Sequence, residues 1–340
     1  MEEKTGAKEA YWHTKARGVG EFDYEKDDFL HRDAKLECTD ETLTESQYFS
    51  FCMPNERVHG ALCFYWYPNI GQLTGGVWAW QGFKPHHLAC EIFDWRQHMS
   101  DKILTNDLWD YTMTMGYGMR MIKPGKEFHA HYEDKLHQSS CEIHYTAIME
   151  PFVIGSHNHI EQHMKTEGEL VMRGRKYPVY GYGVRNRSWG QVRSEAGAPA
   201  VPATYISGVF NDNCSFYCSM FDDPADHPEW EGKLIRPIDS CMVNGFWRKD
   251  GETLELVDGH KLLIRNPVTL FPERVELKLI DSKGREHKVN GMMQALSSFG
   301  MWYNMEVCVC QTRWEGEAMV GYGDTQDIKL GDFMYLNMNK

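Results

Sequence analysis

The feature that most constrains the fold is a run of residues, 58–83, that contains no Lys, Arg, Asp or Glu. A transmembrane helix needs about 20 mostly apolar residues, so the run is long enough to span a membrane. It is, however, interrupted by Pro68 and by five glycines, which break helices and favour turns. We therefore predict two strands, 61–67 and 73–80, joined by a turn at 68–72, and no transmembrane segment.

Turn signals recur along the rest of the chain. Asp-Gly pairs at 250–251 and 258–259 separate three strand-like runs, and Asp-Gly between such runs is a strong hairpin signal. Two further hairpins are predicted at 170–182 and 274–292. Aromatic residues at 13% and 30 glycines also favour strands and tight turns. The spacing of these strands predicts an all-β, mainly antiparallel protein, built as a sandwich or barrel.

Two stretches have apolar residues at helical spacing. They are 88–99, which follows Pro85, and 290–299. For both, the alternative to a helix is an irregular loop.

Length and composition limit the domain organisation and the partners. A chain of 340 residues predicts two domains or one large β assembly, and 42% apolar residues exclude disorder over most of it. We predict an N-terminal arm at 1–20 and two β domains at 21–153 and 154–340. The net charge of −13 argues against nucleic acid and anionic membranes as main partners.

The N-terminus and the cysteines predict the compartment. The first ten residues are charged and polar, without a visible signal peptide, and the ten cysteines include no C-x-x-C pair. We therefore expect reduced thiols in a cytoplasmic protein.

The most unusual group of ionisable residues is His157-Asn-His159-Ile-Glu161-Gln-His163. Alternate residues of a strand share one face, so three histidines and Glu161 would lie on the same side. Imidazole and carboxylate ligands suit Zn²⁺ or Fe²⁺, but residues two apart on a strand are about 7 Å apart, so at most two adjacent ones reach one ion. The alternatives are a structural role, or a general acid, Glu161, with its pKa tuned by apolar surroundings and His163 as its partner. Asp94 and Asp212, which lie beside aromatic residues in the sequence, are reserve acids.

A second histidine pair, His129 and His131, follows Pro124-Gly125. This order resembles part of the cupin metal motif, although the second cupin motif is missing. One hypothesis is therefore a cupin-like metal oxygenase that uses His129 and His131 with His157 or His159. The alternative is that these histidines are structural or exposed.

The block 181–190 combines charged and aromatic residues at high density, including Tyr182, Arg185, Asn186, Arg187 and Trp189. The two arginines require carboxylates or a ligand as partners. Either Arg185 or Arg187 pairs with Glu161, or Trp189 forms the wall of a cavity while the polar groups orient a ligand.

Tryptophans on the first predicted hairpin have two interpretations. Trp66 lies on one strand, and Trp78 and Trp80 share one face of the next. They either fill the core or line a cavity, where their π faces hold an apolar ligand or stabilise a developing carbocation. Motifs for a serine nucleophile or a phosphate-binding loop are absent from the sequence, which excludes most hydrolase, kinase and dinucleotide functions.

Several of these segments together resemble a known family. They are Glu45-Ser-Gln-Tyr-Phe-Ser-Phe51, His159-Ile-Glu161-Gln162 with Thr166-Glu-Gly168-Glu-Leu170, the block 181–190, and the segment from Trp314-Glu-Gly316 to Gly323. The chain resembles, over most of 40–330, the lipocalin-related two-domain β proteins grouped with carotenoid 1,2-hydratases (hydroxyneurosporene synthases) and AttH-like proteins.

The resemblance implies two lipocalin-like β domains with a ligand enclosed by or between them. It also implies a cofactor-independent lyase or isomerase, acting as a hydratase, dehydratase or cyclase on an apolar isoprenoid-like or terpenoid small molecule. On this hypothesis Glu161 donates the proton, and Arg185, Asn186, Arg187 and Tyr182 bind the substrate beside the tryptophan walls.

One position departs from the family pattern. The family has Asp in R-D-x-S-W-G, where this chain has Asn186. Either Glu161 or another acid supplies the proton, or position 186 serves only hydrogen bonding, or the protein is a non-catalytic binder of hydrophobic ligands. The sequence leaves a homodimer open.

Overall fold

The structure, a computed structural model, describes residues 19–33, 38–154, 158–192, 201–230, 240–302 and 305–338. These residues form two antiparallel sheets. The first contains β1 (Val19–Gly20), β2 (Leu43–Met53), β3 (Val58–Tyr67), β4 (Gln72–Gln81), β5 (Ile92–Ser100), β6 (Asp110–Thr112), β7 (Gly118–Lys123), β8 (Glu127–Asp134), β9 (Ser139–Ala147), β10 (Phe152–Ile154), β11 (His159–Met172) and β12 (Arg175–Val192).

The second sheet is a closed barrel. Its strands are β13 (Ala203–Asn211), β14 (Cys214–Phe221), β15 (Met242–Lys249), β16 (Glu252–Arg265), β17 (Pro272–Asp281), β18 (Glu286–Trp302), β19 (Met305–Gly316) and β20 (Met319–Leu330). Each strand pairs with the next in sequence, and β20 pairs with β13 to close the barrel. The predicted all-β, mainly antiparallel fold is therefore confirmed.

The first sheet is curved like half a barrel and has a non-sequential strand order. The order is β5-β4-β3-β2-β12-β11-β9-β8-β7-β6, with β10 paired to β11 and β1 paired to β10. The long hairpin of β11 and β12 therefore lies in the middle of this sheet. The chain passes to the barrel between Val192 and Ala203. The division into domains at 21–153 and 154–340 stays a prediction.

Helical structure is short in the described residues. The 3₁₀ turns are His87–Ala89, Asp101–Ile103, Pro224–Asp226 and Pro228–Trp230, and an α-helix, α1 (Gly331–Met338), follows the barrel. None of the described helices has the length and apolar character needed to span a membrane. The ten cysteines are free thiols.

Turn chemistry explains the hairpins that were predicted correctly. Asp250 and Gly251 both have positive φ angles, of 53° and 84°, as a two-residue type I′ turn requires. Arg173 and Gly174 do the same between β11 and β12, with φ angles of 52° and 81°. The uncharged run 58–83 forms the predicted hairpin of β3 and β4.

Three local expectations are wrong. The helical alternative fails at 88–99, most of which is β5, and at 290–299, which lies within β18. β5 pairs with β4, and β18 pairs with β17 and β19. This strand pairing outweighs a helical spacing that rests on only a few apolar residues. The predicted turn at 258–259 lies inside β16, where a register shift between Leu256 and Asp258 accommodates the glycine.

The two sheets pack against each other through one face of the first sheet. Its other face encloses a core that includes Phe49, Phe51 and Phe64. Across the contact, the rings of Trp78 and Phe299 lie 5.5 Å apart. This packing places the outer wall of the barrel against β2, β3, β4, β11 and β12.

Candidate functional site

A cavity of about 60 Å³ lies between the first sheet and the barrel wall. Side chains from both sheets line it. Its polar and aromatic lining residues include Tyr48, Tyr65, His159, Glu161, Asn186 and Ser188 from the first sheet and Tyr205, Ser207, Tyr217, Asp324 and Gln326 from the barrel. The cavity thus has four tyrosines and two carboxyl groups in its walls.

Glu161 is the carboxyl group on the first sheet. It lies on β11 directly opposite Asn186 of β12, and the Nδ2 amide of Asn186 donates a hydrogen bond to Glu161 Oε1. His159, two residues earlier on the same face, places Nε2 3.0 Å from the same oxygen. Of the four residues that sequence alternation put on one face, two, His159 and Glu161, therefore meet at this cavity.

Glu161 has the electrostatic environment of a general acid. Its side chain is buried, and burial raises its pKa above the ordinary value, with His159, Asn186 and Tyr217 offsetting part of the rise. Its second oxygen, Oε2, has no hydrogen-bond partner in the described part of the chain. A carboxyl group with a raised pKa keeps its proton to a higher pH, and two contacts on Oε1 leave Oε2 to carry it.

Asp324 of β20 is the carboxyl group on the barrel side. The Tyr48 hydroxyl donates to its Oδ2 over 3.0 Å, and Cys52 Sγ lies 3.5 Å from its Oδ1. Sequence reasoning missed both Tyr48 and Asp324. One signal was present, because Asp324 immediately follows the Gly321-Tyr-Gly323 segment that carries the family resemblance.

Arg185 and Arg187 point away from the cavity. Alternation on β12 puts them on the opposite face from Asn186, where Arg185 pairs with Asp28 and Arg187 with Glu45. Trp189 lies on that face as well and stacks on His31 at 4.4 Å between ring centroids. The expected pairing of an arginine with Glu161 is therefore not formed.

The predicted tryptophan walls are also elsewhere. Trp66 lies in the core of the first sheet and donates from Nε1 to Asp101 Oδ2 over 3.1 Å. Trp78 and Trp80 lie 4.7 Å apart in the contact with the barrel, in a cluster with Phe299. None of the three lines the cavity, whose aromatic walls are tyrosines.

The reserve acids occupy separate cavities. Asp94 contacts the Tyr132 hydroxyl at 3.2 Å and Arg96 at 2.9 Å, beside a cavity of about 560 Å³. Asp212 accepts a hydrogen bond from the Tyr182 hydroxyl over 2.7 Å beside a cavity of about 410 Å³. Tyr182 and Asp212 are thus brought together, but not with Glu161.

His163 shares the face of Glu161 and lies deeper in the contact between the sheets. Its ring centroid is 5.3 Å from that of Phe246, and it does not line the cavity. Burial lowers the pKa of His163 to about 3, so the ring stays neutral near neutral pH.

The histidines of the metal hypothesis do not converge. His129 Nε2 lies 2.9 Å from Glu142, His131 Nε2 lies 3.4 Å from the Thr112 hydroxyl, and His157 lies outside the described residues. In the described ranges, three or more potential ligands with donor atoms within 4.8 Å of one another occur as Cys52–His59–Asp324 and as Asp223–Asp226–His260. Neither group contains a histidine of the metal hypothesis.

Residues 24–326 match the family described as a domain of unknown function, DUF7064. The chain belongs to this family. No curated protein is significantly similar to the chain.

Solved structures share the fold at low sequence identity. A protein described as a putative AttH from Nitrosomonas europaea is 11% identical with a TM-score of 0.63, and the match covers 91% of this chain and 96% of that one. Kievitone hydratase from Nectria haematococca is 12% identical with a TM-score of 0.51, over 88% and 93% of the two chains. CghA, in a structure with Sch210972, is 9% identical with a TM-score of 0.54, over 86% and 89%. The resemblance to AttH-like proteins is thus confirmed at the level of the fold.

Proposed function

We propose that this protein is a cofactor-independent lyase or isomerase, of the hydratase, dehydratase or cyclase type, that acts by acid catalysis on a largely apolar small molecule. Glu161 is the general acid, and Asn186 and His159 hold its carboxyl group. The observation that carries the proposal is the burial of Glu161 at the cavity, with two contacts on Oε1 and no hydrogen-bond partner for Oε2 among the described residues.

The chemistry follows from this arrangement. With Glu161 protonated, Oε2–H transfers its proton either to an alkene carbon or to the oxygen of a leaving hydroxyl group. In the first case a carbocation forms and water or a neighbouring double bond quenches it; in the second, water departs. A base then removes a proton from the product, and the Glu161 carboxylate is available for this step. The tyrosine rings of the walls have electron-rich π systems that can stabilise a developing cation.

The lining also narrows the substrate class. Apolar groups from Val184, Ile206, Val307 and Ile328 alternate with tyrosine and serine hydroxyls. Such a wall fits a terpenoid-like or phenolic skeleton that carries one or more hydroxyl groups. Ligand cavities are typically about 300–1,000 Å³, so side chains around this narrower cavity must move to admit such a substrate. Kievitone hydratase, which has this fold, is named for a reaction of the proposed type.

The test is product formation in heavy water. The purified protein is incubated with a panel of terpenoid alcohols, alkenes and kievitone, and products are analysed by mass spectrometry. With the wild type we expect deuterium on a product carbon where an alkene is protonated, or loss of water where a hydroxyl group leaves. We expect neither with Glu161→Gln, because the amide cannot donate a proton of comparable acidity.

A matched control is available on the same strand. Glu167 lies on the same face of β11 as Glu161 but is exposed, so Glu167→Gln makes the same chemical change outside the cavity. This variant is expected to keep wild-type turnover. Full activity of Glu161→Gln, or equal loss in both variants, would contradict the assignment.

A second candidate function is ligand binding without catalysis. It is favoured by Asn186, which occupies the position of the family's Asp and cannot donate a proton as an acid. In the same experiment, a ligand that is retained unchanged by both wild type and Glu161→Gln would support this function and not the first.

A further inference from the structure

A second cluster of reactive side chains lies behind the cavity, where the two sheets meet. Cys52 of β2 and His59 of β3 are directly opposed across their hairpin, and Asp324 reaches them from β20 of the barrel. All three are buried, with exposed fractions of 2%, 0% and 2%. The acid–base chemistry proposed for Glu161 does not use this cluster.

We infer that Cys52, His59 and Asp324 form a Zn²⁺ site that clamps the first sheet to the barrel. Thiolate, imidazole and carboxylate are the ligands that zinc prefers in proteins. The inference concerns a different group of residues from Glu161 and does not depend on the proposed reaction.

The spacing of the donor atoms fits a tetrahedral ion. Zinc–ligand bonds of about 2.0–2.3 Å place neighbouring ligand atoms about 3.3–3.7 Å apart. Cys52 Sγ lies 3.1 Å from His59 Nδ1 and 3.5 Å from Asp324 Oδ1, and Asp324 Oδ1 lies 3.3 Å from the other ring nitrogen, His59 Nε2. With one ligand atom taken from each residue, the three atoms all lie within 4.8 Å of one another. The Tyr48 hydroxyl, 3.0 Å from Asp324 Oδ2, or a water molecule from the cavity can supply the fourth ligand.

One unsatisfied atom points to a missing partner. His59 Nε2 is fully buried and has no hydrogen-bond partner among the residues that the structure describes, although it lies close to Asp324 Oδ1. A buried polar nitrogen without a hydrogen-bond partner destabilises the folded protein. A metal ion between this nitrogen and the carboxylate would satisfy both.

Charge balance is also favourable. Zinc binding replaces the thiol proton, which leaves to solvent, by a zinc–sulfur bond. The ion, one thiolate and one carboxylate then sum to zero charge, which is what a buried site requires.

The experiment measures metal directly. Protein purified without chelators is analysed for zinc by mass spectrometry. Metal-depleted protein is then titrated with Zn²⁺ against a chromophoric chelator, and separately with Co²⁺, whose bond to a thiolate produces a charge-transfer absorption band. We expect one zinc per chain, a thiolate band with Co²⁺, and at least about a tenfold loss of zinc affinity in Cys52→Ser and in Asp324→Asn.

Two variants serve as controls. Cys63 lies on the same face of β3 as His59 but outside the cluster, so Cys63→Ser is expected to bind zinc like the wild type, as is Glu161→Gln. Absence of zinc binding, no thiolate band in the wild type, or unchanged affinity in a folded Cys52→Ser would overturn the inference. If Cys52→Ser does not fold, the Co²⁺ spectrum of the wild type decides.

Discussion

Glu161 and Asn186 are directly opposed residues of neighbouring antiparallel strands, and the Asn186 amide donates to the Glu161 carboxyl group inside a buried cavity. This hydrogen bond joins the histidine-rich segment 157–163, which contains Glu161, to the block 181–190, which contains Asn186. It gives Glu161 a neutral hydrogen-bond donor as its partner on the neighbouring strand. The acid catalysis proposed for the cavity should therefore depend on how Glu161 titrates.

The pH dependence of turnover should report the pKa of Glu161. Because burial raises this pKa, the protonated acid persists above the pH at which a free glutamic acid ionises. We expect kcat to be highest on the acidic side of the raised pKa and to fall as pH rises through it. Steady-state rates measured across pH check this, and a rate that instead increases through the same interval would contradict the acid role.

Replacing Asn186 by Asp should make stability more sensitive to pH. Two carboxyl groups at hydrogen-bond distance cannot both ionise readily, so the pKa of one of them rises above its value in the unfolded chain. The folded state then holds a proton that the unfolded chain has released. The free energy of unfolding therefore falls as pH increases, by about 1.4 kcal/mol for each pH unit between the unfolded and folded pKa values.

Urea unfolding of Asn186→Asp at about pH 5 and about pH 8 measures this effect. We expect the variant to lose stability relative to the wild type between these two values. Asn186→Ala, which adds no charge, is the control. Equal losses in the two variants would mean that the carboxyl groups do not interact.

His163 should make the wild type sensitive to acid. Its pKa is lowered to about 3 in the folded protein from an ordinary value of 6.5. Between these values the unfolded chain binds an extra proton, so the folded state loses about 1.4 kcal/mol per pH unit as pH falls. We expect His163→Leu to flatten the dependence of unfolding free energy on pH between about pH 6.5 and 4. The same slope in both proteins would show that His163 is protonated in the folded state.

Arg185 should contribute to stability and not to ligand recognition. Its guanidinium is buried in an ion pair with Asp28 and donates to Gln162 Oε1 over 3.0 Å. Removing one partner of a buried pair typically costs about 3–5 kcal/mol, because the other charge is left without compensation.

Unfolding of Arg185→Met, Asp28→Asn and the double variant forms a double-mutant cycle. We expect each single variant to be strongly destabilised and the double variant to lose less than the sum of the two. Additive losses would mean that the two charges are not coupled. Weaker ligand binding by a fully stable Arg185→Met would restore a direct binding role.

The sequence could predict the turns and the face of a strand on which each side chain lies, because both depend on residues that are close together in the chain. The turns Asp250-Gly251 and Arg173-Gly174 set their hairpins, and alternation on β11 placed His159, Glu161 and His163 on one face. Alternation on β12 also put Asn186 on the opposite face from Arg185 and Arg187. The sequence did not indicate which of these two faces lines the cavity. The sequence likewise did not show where the tryptophans are buried. Large apolar residues occur both in the core of a sheet, as Trp66 does, and in a contact between two sheets, as Trp78 and Trp80 do.

The tertiary structure determines which face of the first sheet packs against the barrel. Every residue of β2 is buried, so the strand has no polar face that would mark Tyr48 as different from Phe49. The partners of the key side chains are distant in the chain, with Tyr48 and Asp324 separated by 276 positions and Arg185 and Asp28 by 157. By itself the sequence determined most of the strands and turns, and it placed Glu161 beside His159 on one face of β11, because these features follow from local backbone geometry. The cavity and the Cys52–His59–Asp324 cluster arise only when the barrel packs on the first sheet, since that contact joins residues that no local pattern connects.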